Sequence, residues 1–191
     1  LDENYSTMEH KWDEAKGYCL DEDTNGILLY KYVKKVSGAK DLLEQAFYRG
    51  REAIVSGDYE KRDEQATIIK GLIADVLKAR ALHYVQAGKE SLFPSASGPY
   101  GATDVPANGL NGTAAHDLSE GYGFVYSLQF IKDVPNKSYT RSHVMNMLEH
   151  LSKGNGLWDL TYGDLDTVEN MINNPVDEYR FVKGNKTDAK S

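Results

Sequence analysis

Tyr59-Glu-Lys-Arg-Asp-Glu-Gln-Ala-Thr-Ile-Ile-Lys-Gly-Leu-Ile-Ala-Asp-Val-Leu-Lys-Ala-Arg-Ala-Leu-His-Tyr-Val-Gln86 runs without proline and with one glycine, Gly71. Ile69, Val76 and His83 recur every seven residues, with Leu72, Ile73 and Arg80 between them. That interval is the seam of a helical bundle. A helix of this length spans about 40 Å. On the seam His83 reads as a core histidine, and Gly88 suits the C-terminus.

Helical patterning continues on both sides. Upstream, Ala39 to Val55 carries Leu43, Phe47, Gly50 and Ile54 on one side, and Ser56-Gly57-Asp58 breaks it from the long helix. Before that, Ile27 to Val36 reads as a short helix. Asn4 to Leu20 places Tyr5, Met8, Trp12, Ala15 and Cys19 on one stripe, with Asn4 or Ser6 as cap. Downstream, Phe93 to Thr113 holds Pro94, Pro99 and Pro106 among glycines and asparagines, so residues 93–113 read as a long loop. Helices are then expected over Ala114 to Ile131, Ser138 to Lys153 and Asp164 to Asn173. No strand-like alternation persists. The expectation is an all-α, up-and-down bundle of six or seven helices in one domain over 1–182, with a disordered tail at 183–191.

Composition narrows the functional classes. The 191 residues are 40% hydrophobic and 27% charged, a globular balance. Twenty-two Lys and Arg against 29 Asp and Glu give a net charge of −7, so a nucleic-acid partner is not expected. No apolar run reaches the length of a membrane-spanning helix. The lone cysteine, Cys19, excludes a disulfide framework and sits on an apolar stripe, as a small buried hydrophobe would. No nucleophile elbow, Walker loop or dinucleotide fingerprint appears, so no catalytic residue is assigned. Thirteen tyrosines suit contact with sugars, peptides or proteins, and Tyr100, Asn108 and Asn111 are the candidate binding residues of the long loop.

Two segments match without gaps: His10-Lys-Trp-Asp-Glu14-Ala-Lys-Gly17-Tyr18 and His116-Asp-Leu-Ser-Glu120-Gly-Tyr-Gly123-Phe124. They suggest an internal helical repeat. Residues i, i+4 and i+7 share a helix face, so His10, Glu14 and Gly17 line up, as do His116, Glu120 and Gly123. A glycine in such a line costs about 1 kcal/mol against alanine, which suggests a close neighbour. Two facing lines would form a water-poor crevice with two imidazoles and two carboxylates. His10, Asp13, Glu14, His116 and Glu120 are therefore the candidate metal ligands, with iron or zinc as the expected ion. The competing reading is an ordinary surface pair on each helix. His143 and His150 lie two turns apart, too far for one ion. Arg51 reads as a structural clamp to Asp13 or Glu14.

His10 to Tyr18 resembles the His-Trp-Asp-Glu-Ala-x-Gly-Tyr signature of uncharacterised Bacteroidetes cell-envelope lipoproteins, which are distantly imelysin-like. Ala46-Phe-Tyr-Arg-Gly-Arg-Glu-Ala-Ile54 resembles the next helix of that family, and His116 to Leu128 a later one. The resemblance implies an all-helical protein of the periplasm or outer-membrane surface. It also implies a lipid anchor absent from this chain and a preceding helical half that this chain would contact, in keeping with a start at Leu1 rather than Met. Lys16 departs from the signature. Imelysin-type proteins carry Gly-x-His-x-x-Glu, whereas here Ala114 stands at the glycine position and His116 to Glu120 is one residue longer. The expected function is a non-catalytic envelope binding protein for iron, another metal or its carrier. The alternatives are a metal-dependent hydrolase using the same His and Glu residues, with a Glu as general base, and a glycan- or protein-binding surface lipoprotein without metal.

Overall fold

The computed structural model describes residues 5–21, 29–94, 110–132, 134, 137 and 139–175. Among them are seven α-helices and no strand: α1 (Thr7–Leu20), α2 (Tyr30–Val33), α3 (Ala39–Ser56), α4 (Tyr59–Leu92), α5 (Gly112–Ser127), α6 (Arg141–Leu151) and α7 (Tyr162–Asn173). Short 3-10 turns follow α5 and precede α7. The all-α expectation holds. Backbone contacts group the chain into two compact units, Leu1–Val76 and Leu77–Ser191, and α4 supplies residues to both.

In the first unit Leu20, Tyr30, Val33, Leu43, Phe47, Ile69 and Val76 form the core, with Trp12 and Cys19 packed against it. Burial pushes the Cys19 thiol up. Gly38 and Gly57 bracket α3 in the left-handed region, at φ 75° and 73°, where a side chain would be strained. Inside α3, Gly50 clears room for Trp12: a Cβ there would lie 2.0 Å from the indole. The Trp12 Nε1–H donates to the Phe47 carbonyl at 2.8 Å, locking the ring in place.

In the second unit Leu118, Val125, Leu128, Val144, Met147, Leu151, Leu165, Val168 and Ile172 are buried. The Tyr139 hydroxyl donates to the Ile172 carbonyl, and burial raises its phenol well above the ordinary value. The two matched segments lie on α1 and α5. In each, the residue two after the histidine packs on a glycine of another helix, Trp12 on Gly50 and Leu118 on Gly88.

Three expectations about single residues are corrected. Gly88 does not end α4, which continues to Leu92; it is buried, and a Cβ would meet Leu118 at 2.5 Å. His83 is exposed rather than in the core. A straight helix drifts about 20° per heptad against a seven-residue repeat, so the buried stripe passes to Ala81, Tyr84, Val85, Gly88 and Leu92. No described part of the protein approaches Gly17 or Gly123, since a Cβ on either meets nothing within 4 Å.

Candidate functional site

Serine at position 6 and glutamate three residues on start α1 with a capping box. The Glu9 N–H donates to Ser6 Oγ at 3.3 Å, and the Ser6 N–H donates to Glu9 Oε2 at 2.6 Å. The other Glu9 oxygen accepts from Arg51 Nη1 at 2.6 Å, and Arg51 Nε lies 3.1 Å from both oxygens of Asp13. The Tyr5 hydroxyl adds a bond to Asp13 at 2.8 Å. The Ser6 N–H, then the Ser6 side chain and the Arg51 guanidinium, hold the Glu9 carboxyl below the usual carboxylate range.

Arg51 is thus the expected clamp, but its second carboxylate is Glu9, not Glu14. Glu14 pairs instead with Lys11 at 2.8 Å. Asp13 already serves a cation and a phenol, so binding a metal there would dismantle the clamp. His10 stands exposed on the same helix, edge-on to Tyr5.

In the second unit His116 is 65% exposed, and its Nδ1 lies 3.0 Å from Asp117 Oδ1. Glu120 follows one turn later and is half-buried. His10, Glu14 and His116 all reach solvent. Among the described residues no group of three or more His, Cys, Asp or Glu side chains is placed to hold a metal ion.

Of the long-loop residues, Asn111 proves to be the N-cap of α5, its Oδ1 accepting from the Ala114 N–H at 2.9 Å. Tyr100 and Asn108 lie outside the described residues, as does the tail at 183–191.

Other polar groups tie helices together. His143 Nε2 approaches the Met171 carbonyl at 3.0 Å, while its backbone N–H donates to the Thr140 cap. His150 Nδ1 lies 3.3 Å from Asp164 Oδ1, with Lys153 Nζ at 3.5 Å. Asp164 is also the third residue of a second capping box, on Thr161. Lys89 bonds Glu169 at 2.6 Å and reaches Asp166 at 3.5 Å. Burial alone would lower the Lys89 ammonium, but Glu169 and Asp166 outweigh it and hold it above its ordinary value. The sequence reading missed the roles of Glu9 and Asp164, although Ser6-x-x-Glu9 and Thr161-x-x-Asp164 both carry capping-box spacing.

Asp164 gives an acid-stability prediction. Burial pushes its carboxyl up, but the Thr161 hydroxyl and N–H, His150 and Lys153 prevail, holding it below the ordinary carboxylate value. A folded carboxyl below its unfolded value contributes stability above about pH 4, lost as pH falls through the folded value. Denaturant titrations from pH 6 to 2 are expected to show a steeper acid loss in the natural protein than in Asp164→Asn. Parallel profiles would refute the assignment.

No helix among the described residues is long and apolar enough to cross a membrane. Tyr122, Tyr126 and Phe130 are exposed at four-residue intervals from α5 into the turn that follows it, and the last two rings meet edge-on at 5.7 Å. A family model described as a domain of unknown function, DUF4856, matches residues 1–177. No curated protein and no solved structure matches the chain.

Proposed function

This chain belongs to the DUF4856 family, and on that premise we propose that it is a non-catalytic binding protein of the cell envelope. The observation that carries the non-catalytic reading is the direction of its charge perturbations. Glu9 and Asp164 are pushed down, and Lys89, Tyr139 and Cys19 are pushed up. Each moves away from neutrality, whereas a general acid or base working near pH 7 is tuned towards it. Burial accounts for the Cys19 and Tyr139 shifts and structural contacts for the others. The envelope location rests on the resemblance of His10–Tyr18, Ala46–Ile54 and His116–Leu128 to envelope lipoproteins.

Iron, zinc or a carrier of either is the proposed cargo, with His116 as its first contact. An Nδ1–H donated to Asp117 leaves Nε2 as the donor atom for an ion, the carboxylate–histidine pairing common at metal sites. Glu120 would be the second donor. Two protein donors fall short of the four that zinc takes, so the carrier or water would supply the rest. Elemental analysis and titration with Zn²⁺ and Fe²⁺ test this. His116→Ala is expected to weaken binding roughly tenfold or more with helicity unchanged. Equal metal content in both proteins would eliminate the metal reading.

The exposed row of Tyr122, Tyr126 and Phe130 favours a second reading, a glycan or protein partner without metal. It stands independently of His116.

A further inference from the structure

Arg80, on the second-unit part of α4, is a buried cation that meets no carboxylate among the described residues. It is 8% exposed, and its Nε has no hydrogen-bond partner. Among the described residues it makes no ion pair; its guanidinium carbon lies 4.6 Å from the centroid of the Tyr84 ring. Two other partly buried cations are each met by two carboxylates, Arg51 by Glu9 and Asp13, Lys89 by Glu169 and Asp166. One ring face returns less than the hydration a guanidinium loses on burial. The Nε–H is one prong of the fork with which arginine grips a carboxylate or phosphate through two parallel bonds. That prong is unused.

Aromatic and imidazole side chains surround Arg80. Tyr84 is buried, stacks on Phe124 at 5.6 Å and 18°, and meets the His116 ring edge-on at 6.4 Å. Arg80 therefore leads a cluster of one cation, two stacked aromatic rings and an imidazole whose own carboxylate, Asp117, is already engaged. His83, next to Tyr84 on α4, adds an exposed imidazole.

We propose that Arg80 anchors a binding site for a small oxyanion, a carboxylate or phosphate, with Tyr84 as its wall. The site does not depend on metal binding at His116. It predicts a specific response to anions in the full chain. Inorganic phosphate and citrate, each titrated against chloride at matched ionic strength, are expected to raise Tm saturably. At a ligand concentration near a hundred times Kd the rise is roughly 5–10 °C. A response to citrate alone assigns the site to carboxylates, and a response to phosphate alone to phosphoryl groups. Arg80→Met is expected to fold, since a buried unpaired charge is removed, and to lose the rise. Arg80→Lys, which keeps the charge without the fork, is expected to weaken binding at least tenfold. Calorimetric titration of the natural protein gives a second readout that needs no variant to fold. No heat and no Tm rise beyond chloride would overturn the proposal. So would an equal rise in natural protein and Arg80→Met, since that is general salt stabilisation.

Discussion

Gly50→Ala is expected to destabilise the first unit by about 2–4 kcal/mol, well beyond an ordinary surface change. In an exposed helix the same substitution would stabilise, because alanine is the better helix former. Here the added methyl group would occupy space that Trp12 fills, 2.0 Å from the nearest indole carbon. The ring cannot rotate away without breaking its bond to the Phe47 carbonyl and leaving the core. Chemical denaturation followed by tryptophan fluorescence measures the loss and the displacement of the ring. A variant as stable as the natural protein, with unchanged fluorescence, would show that α1 and α3 do not meet through this contact. Trp12→Ala should lose a similar amount, and the two changes together should cost less than their sum.

Leu118 and Gly88 form the matching contact in the second unit and allow a fuller test. Leu118 is completely buried, so Leu118→Ala is expected to cost about 2–5 kcal/mol through lost burial and the cavity left behind. Gly88→Ala meets Leu118 at 2.5 Å and is expected to cost about 1–3 kcal/mol. In the double variant the new methyl enters the vacated space. The double-mutant cycle is therefore expected to show a coupling of at least about 1 kcal/mol in the favourable direction. Additive losses would mean that the two residues do not touch.

These contacts mark where the sequence was readable and where it was not. The helices follow from proline-free periodic stretches punctuated by Ser37-Gly38, Ser56-Gly57 and the proline-rich loop. The Arg51–Asp13 contact was legible too, because an arginine in an apolar stretch must find a carboxylate. Gly88 was misread because a glycine near the end of a helical run looks like a terminator, although its spacing from Ala81 and Val85 puts it on the buried stripe. His83 was misread because a strict count of seven ignores the drift of an uncoiled helix. The candidate site was less readable. The His/Glu lines of α1 and α5 are set by helical spacing, but whether a carboxylate is spoken for depends on cations far away in sequence. Asp13 is claimed by Arg51, 38 residues on. Nothing in the order of residues reveals that Arg80 meets no carboxylate among the described residues.

Glu9 and Asp164 each perform two tasks with one carboxylate. Each closes the first turn of its own helix, and each grips a cation or imidazole outside it. End fraying and detachment from the neighbour then cease to be separate motions. A helix that lets its first turn unwind gives up its anchor, and one that swings away loses its lid. The first-turn amides of α1 and α7 should thus exchange with solvent as slowly as the middle of each helix.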